Sequence, residues 1–230
     1  MKIIIGLGNP GATYRNTRHN VGMRVVEVLA ERHAICLKRR LFEPHTKQAI
    51  GRFGDYRRGG ESVRLILPQV YMNESGRMLG FLNLDFASPH HLPGFAAGKP
   101  PLHGSPTASR QVVGSQNLLI VCDDANLPLG VIRLRSQGSA GGHLGLLSCL
   151  EALGTQRVAR LRFGIGRADL PRDLRSFVLE PFDSEEEPLV AQSLSRAMEA
   201  AEVWVSEGIS VAMNRYNINF ASRNLSTESS

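Results

Sequence analysis

Two unbroken apolar runs constrain this chain more than any other feature. Residues 2–7 read Lys-Ile-Ile-Ile-Gly-Leu, and residues 117–122 read Asn-Leu-Leu-Ile-Val-Cys. A strand with one wet face alternates apolar and polar side chains, whereas a run without alternation has to be covered on both faces. A sheet built on such strands needs a layer above and a layer below. Helical periodicity supplies the cover: Val21, Val25, Val28 and Leu29 recur at helical spacing across residues 21–32, with Asn20 placed as N-cap.

Residues 47–54 and 62–67 flank Tyr-Arg-Arg-Gly-Gly-Glu, which predicts a hairpin with a Gly-Gly turn. Residues 71–84 read as a loop entering a helix. Alternation predicts strands at 130–135 and 159–166, and helices are expected near 145–153 and over 185–217, the latter broken near Gly208. Strands alternating with helices, plus one hairpin, give an α/β fold: a single-domain sandwich over residues 1–220 with a mixed, mostly parallel central sheet flanked by helices. The composition agrees, since 230 residues at 42% hydrophobic and 21% charged can fill one packed core. Residues 87–116, rich in Pro, Gly and Ser and without a period, read as a long insertion, and 221–230 as a polar tail.

Several classes of function drop out. No apolar run approaches the roughly 20 residues of a membrane span, and the N-terminal run turns glycine-rich too early for a secretory signal. Neither a membrane partner nor export is expected. Cys36, Cys122 and Cys149 are far apart and lack metal-ligand spacing. They read as small buried hydrophobes in a reducing compartment, consistent with a cytoplasmic protein. The formal net charge of +6 favours an anionic partner, most often nucleic acid.

The first strand runs into Gly-Leu-Gly-Asn-Pro-Gly-Ala-Thr-Tyr-Arg-Asn-Thr-Arg-His-Asn-Val-Gly, residues 6–22. Its start matches G-x-G-x-x-G, the dinucleotide fingerprint, but Pro10 has no N–H for a pyrophosphate and the helical pattern begins only near Val21. The basic segment near Arg39 and Arg40 could still suit a 2′-phosphate, so an NADP reading stays open at this level. The other reading is a wide loop that presents Asn9, Tyr14 and His19 at the carboxyl edge of the sheet, where open α/β proteins place their ligands.

Histidine titrates near working pH and is the usual general base. Of seven histidines, His19 and His143 stand beside glycine-rich loops at strand-to-helix junctions. Asp123 ends the second apolar run, where it can orient such a base, while Asp124 is expected to point the other way. Asn73, in Tyr-Met-Asn-Glu-Ser-Gly, can donate to a carbonyl oxygen. Gly138, Gly141 and Gly142 permit close backbone approach to a ligand. No G-x-S-x-G elbow is present. With histidine, aspartate and asparagine but no evident nucleophile, water is the natural attacker, which points to hydrolysis of an activated acyl bond.

In their order and spacing these motifs resemble the bacterial-type peptidyl-tRNA hydrolases. The matching stretches are residues 6–22, Tyr-Met-Asn-Glu-Ser-Gly at 71–76, Val-Cys-Asp-Asp-Ala-Asn-Leu-Pro-Leu-Gly at 121–130, Gly-Ser-Ala-Gly-Gly-His-Leu-Gly at 138–145 and Arg-Leu-Arg-Phe-Gly-Ile-Gly-Arg at 160–167. The resemblance implies hydrolysis of the ester between a peptide and the 3′-terminal ribose of tRNA, which recycles tRNA after aborted translation. It implies tRNA as partner, neither metal nor cofactor, and a monomer. It implies His19 as catalytic base, Asp123 as its partner, and Asn9 as a contact to the peptide that helps reject unblocked aminoacyl-tRNA. Tyr14, Tyr71, Met72, Asn73 and His143 would line the substrate cleft. Arg135 and Arg162 would hold tRNA phosphate, in keeping with arginines that alternate along both strands. One position departs from the family: Leu144 stands where Gly-His-Asn-Gly usually has asparagine. Leucine cannot hydrogen-bond, and one lost positioning contact costs on the order of 10²-fold in rate. The departure is the one feature that favours an alternative, a non-catalytic RNA-binding relative; the His19–Asp123 pair opposes it.

Overall fold

The Lys2–Gly6 run forms the middle strand of a seven-stranded sheet. The structure is a computed structural model that describes residues 1–43, 46–82, 84–85 and 113–217. Its strands are β1 (Lys2–Gly6), β2 (Arg39–Phe42), β3 (Ala49–Arg58), β4 (Glu61–Pro68), β5 (Leu84–Asp85), β6 (Val113–Gly114), β7 (Leu118–Pro128), β8 (Ile132–Arg135) and β9 (Ala159–Gly166). Its helices are α1 (Val21–Arg32), α2 (Leu144–Leu153), α3 (Leu174–Val178), α4 (Glu187–Glu207) and α5 (Ile209–Tyr216). The sheet order is β2-β3-β4-β1-β7-β9-β8. The central strands β4, β1, β7 and β9 run parallel, and β2, β3 and β8 are antiparallel to their neighbours. β5 and β6 pair separately.

Alternation along β1 sorts the interior into two cores. Ile3, Ile5 and Leu7 face one side with Phe53, Ile66 and Ile120, under α2 and the 3-10 helix Met72–Phe81. Ile4 faces the other side with Leu65, Val121, Phe163 and Trp204, under α1, α4 and α5. The unbroken apolar runs thus lie between two covered faces, as their composition requires. From β1 the chain crosses towards β4, and from β7 towards β9, so connections diverge at the carboxyl ends of β1 and β7. Such a switch point opens a crevice between the two loops.

Most element boundaries agree with the sequence reading. The hairpin turns at Gly59-Gly60, and the long C-terminal helix breaks at Gly208, whose φ of 85° lies in the left-handed region that glycine tolerates. Several expectations are corrected. The strand expected at 117–122 continues to Pro128, with a register shift after Asp124. β2 and α3 escape a pattern reading because a four-residue edge strand and a five-residue helix are defined by their neighbours rather than by a period. Residues 71–84 hold a 3-10 rather than an α-helix. The insertion assigned to 87–116 ends in ordered chain: Val113–Gly114 pairs with Leu84–Asp85, and Ser115–Asn117 is a 3-10 turn. The remainder of that insertion and the tail 221–230 lie outside the described residues. Cys122 and Cys149 are buried, but Cys36 is exposed.

At one edge of the sheet, Asn217 after α5 closes the ladder. Its Oδ1 accepts the Leu134 N–H at 2.7 Å, and its Nδ2 donates to the Leu134 carbonyl at 3.0 Å. The open side of β8 is thereby occupied in place of a further strand.

Candidate active site

His19 lies on a 3-10 turn, Arg18–Asn20, that leads into α1, and Asp123 lies near the end of the regular part of β7. His143 is the N-cap of α2. The three side chains meet where the switch point opens the sheet. Asp123 Oδ1 accepts from His19 Nδ1 at 2.8 Å and from His143 Nε2 at 2.9 Å. Both tautomers follow from donor and acceptor chemistry. A carboxylate only accepts, so neutral His19 carries its proton on Nδ1 and leaves the Nε2 lone pair free. His143 Nδ1 accepts the Leu146 N–H at 3.0 Å, so its proton is on Nε2.

Asp123 is nearly fully buried. Burial alone would raise its carboxyl, but the attraction and hydrogen bonds of His143 and His19 outweigh it and hold the carboxyl well below the usual range. An ionised, buried acceptor therefore sits against two imidazoles whose ring centroids are 4.9 Å apart. These three residues also form a group with metal-ligand chemistry, their ligand atoms lying within 4.8 Å of one another. Hydrogen bonding already accounts for that geometry, because a His143 Nε2 that carries a proton has no lone pair for a metal.

Asn20 forms no side-chain cap on α1. Instead its Oδ1 accepts the Asn9 N–H at 2.8 Å and its Nδ2 donates to the Asn9 carbonyl at 2.9 Å, clamping the loop after β1. Asn9 Oδ1 in turn accepts the Met72 N–H at 2.8 Å. That bond fixes the amide orientation and leaves the Asn9 NH2 as the group not consumed by the fold. The glycines of the opening loop serve packing. A Cβ on Gly6 would lie 2.3 Å from the Gly22 carbonyl oxygen, so α1 and β1 touch backbone to backbone there. The G-x-G start is a close-contact device, and the NADP reading loses its sequence basis.

One cleft of about 520 Å³ takes in these groups. Asn9, His19, Met72, Asn73, Asp123, His143 and Arg162 line it, so seven of the ten residues singled out from the sequence converge. Tyr14 and Tyr71 pack edge to face with centroids 6.5 Å apart and are not among the lining residues. Arg135 lies outside the cleft on the edge strand β8. Arg162 is held by Asp124 Oδ2 at 3.0 Å and by the Ser139 carbonyl at 3.1 Å. Asp124 does turn away from Asp123's partners, towards that arginine. Cys122 also lines the cleft, but burial, reinforced by Asp123, pushes its thiol far up, which removes a thiolate nucleophile from consideration.

The family model for peptidyl-tRNA hydrolase matches residues 3–89 and 105–226. The chain belongs to the peptidyl-tRNA hydrolase family. It is 38% identical to the peptidyl-tRNA hydrolase of Chloroflexus aggregans over 94% of this chain and 99% of that protein. It is 40% identical to that of a Roseiflexus species, over 94% of this chain and 86% of the relative. Among solved structures, the crystal structure of peptidyl-tRNA hydrolase from Acinetobacter baumannii superposes with a TM-score of 0.70 at 29% identity, covering 94% of each chain. The stretch that the family model skips, 90–104, falls inside the insertion inferred from composition.

Sequence reasoning missed two supports of the candidate site and the orientation of a third. One is the Asn20 clamp. Another is Arg18, fully buried between Phe177 and Phe182 at 4.7 and 4.9 Å and paired with Glu186 at 2.6 Å. It anchors the turn that carries His19 to the segment joining α3 and α4. The third is the second imidazole on Asp123, which spacing placed near the site but could not orient. The Arg18 ion pair left only a cation beside the catalytic candidate as its trace in the sequence; its partner is 168 residues away.

Proposed function

We propose that the protein hydrolyses the ester between a peptide and the 3′-terminal ribose of tRNA, freeing tRNA from peptidyl-tRNA left by aborted translation. The observation that carries this reading is the hydrogen-bonded set of His19, Asp123 and His143 in the cleft of a chain of this family. On this reading a water molecule gives its proton to His19 Nε2 while its oxygen bonds to the acyl carbon. Asp123 steadies the imidazolium that forms. The tetrahedral species then breaks the bond to the ribose oxygen, and His19 returns the proton to that oxygen. The products are a peptide carboxylate, which releases one proton, and intact tRNA. The Asn9 and Asn73 amides contact the acyl group, and His143 keeps Asp123 in place from the far side. Arg162 and Arg135 meet the tRNA phosphates.

The protein works on this reading as a cytoplasmic monomer. The free Cys36 suits a reducing compartment, and no described helix is long and apolar enough to cross a membrane. The direct test is incubation with N-blocked aminoacyl-tRNA and measurement of free tRNA, for the parent and for His19→Ala. Removing the base is expected to slow cleavage by about 10²–10⁴-fold while tRNA affinity stays near parental. Cleavage by His19→Ala near the parental rate would show that another group activates the water.

A further inference from the structure

The cleft is lined in part by aliphatic side chains that remain about half exposed. Leu144, Leu174 and Leu179 are 49%, 41% and 41% exposed and all line the cleft, together with Val178. Leu144 and Leu174 are each the first residue of a helix, α2 and α3. A first helical position has no intrinsic call for leucine, since its neighbours there are water and the cap. Both helix starts are nonetheless held firmly. His143 caps α2 through the Leu146 N–H, and the Asp173 carboxylate caps α3 through the Arg175 and Ser176 N–H groups. The leucines are therefore presented to the cleft from two fixed backbones rather than from a pliable loop.

We infer that this leucine wall makes the enzyme discriminate by the side chain of the amino acid esterified to tRNA, favouring aliphatic and aromatic residues over polar ones of the same size. The inference rests on the hydrolase reading above. An acyl carbon over His19 has one arm through the ester oxygen to the ribose, and the tRNA arm follows Arg162, which lines the cleft on the side of the glycine loop, apart from the second cleft arginine, Arg175, beside Leu174. The second arm carries the α-carbon, whose amide nitrogen finds hydrogen-bonding partners at Asn9 and Asn73. The side chain is the remaining arm, and the branched aliphatic part of the remaining lining is Leu144, Leu174, Leu179 and the half-buried Val178, with Arg175 set among them. Apolar side chains gain by removing that exposed area from water, whereas a polar side chain placed there gives up hydrogen bonds to solvent. Apolar contacts of this kind discriminate by roughly 10–200-fold per group, and a wall open to solvent belongs at the lower end.

The test charges a single tRNA chemically with N-acetyl-leucine or with its near-isostere N-acetyl-asparagine, so that only the side chain differs. The parent is expected to cleave the leucine ester with kcat/KM about tenfold higher. In Leu144→Asn, and independently in the double variant Leu174→Ser/Leu179→Ser, that ratio is expected to fall to about twofold or less. The ratio is internal to each variant, so a change in overall rate or in folded fraction does not affect it. Comparable cleavage of both esters by the parent would overturn the inference and leave the hydrolase reading standing. A ratio that survives in both variants would likewise overturn it. Cleavage of neither ester by the parent would overturn the hydrolase reading itself, and the inference with it.

Discussion

Asp123 Oδ1 receives two N–H groups from opposite sides, and this sharing sets the state of both histidines. The same economy holds for Asn20, whose one amide occupies the N–H and the carbonyl of Asn9, each buried. Removing it leaves both backbone groups without partners and frees the loop that carries Asn9. Asn20→Ala is expected to cost about 1–3 kcal/mol of stability, the usual penalty for orphaned buried polar groups. Activity is expected to fall beyond what the unfolded fraction explains, because Asn9, the acyl contact proposed above, is no longer held. Thermal unfolding and kcat measured on the same preparation check the two parts. An unchanged melting temperature would mean that the loop is held by its packing on Met72 instead.

At the scale of elements, the paired strands β8 and β9 carry four arginines on one face. Arg133 lies opposite Arg162 and Arg135 opposite Arg160. Their environments assign different work. Arg160 is buried, with its guanidinium on the Gly138 and Gln156 carbonyls, so it ties the glycine loop to the strand. Arg135 is exposed. Arg135→Ala is expected to reduce the salt dependence of tRNA binding by about one phosphate contact and leave the melting temperature in place. Arg160→Ala is expected to do the reverse. Titrations of binding at several salt concentrations, beside thermal melts, separate them. The segment between α3 and α4 offers a second element-level test. Burial would raise the Glu186 carboxyl, but hydrogen bonds from Arg18, the Asp183 N–H and Arg167 bring it down from 4.5 to about 2. A carboxyl with a lowered folded-state pKa stabilises the fold above its unfolded value, and that contribution is lost as pH falls from about 4.5 towards 2. Glu186→Gln is expected to remove this pH dependence and to lower stability at neutral pH by about 3–5 kcal/mol, because the buried Arg18 loses its counter-charge. Acid titrations of unfolding for both proteins check the sign and the window.

At the scale of the whole molecule, the geometry of the candidate site depends on how closely α1 lies on the sheet. A Cβ at Gly22 would sit 2.4 Å from the Val121 carbonyl oxygen and 2.7 Å from that of Leu7, both backbone atoms that cannot step aside. Gly22→Ala is expected to push α1 off β1 and β7, costing about 1–3 kcal/mol or more. His19, in the turn just before α1, would move away from Asp123. A chemical denaturation midpoint lowered together with kcat, at near-parental tRNA affinity, is the expected pattern. The sequence by itself determined the layers and the location of the site. Unalternating strands need cover on both faces, the breaks at Gly59-Gly60 and Gly208 are written in residue type, and His19 and Asp123 follow apolar runs whose carboxyl ends must share one edge. Resemblance then supplied the roles. What remained was decided by groups far apart in the chain. β2 exists because β3 offers it a ladder. Asn20, a cap by local pattern, is drawn off by the Asn9 backbone, and Arg18 is matched to Glu186 across 168 residues. Local propensity reads only neighbours along the chain. The tautomers of His19 and His143 are fixed by partners brought in from separate elements, so only the folded arrangement could assign the proton and the lone pair.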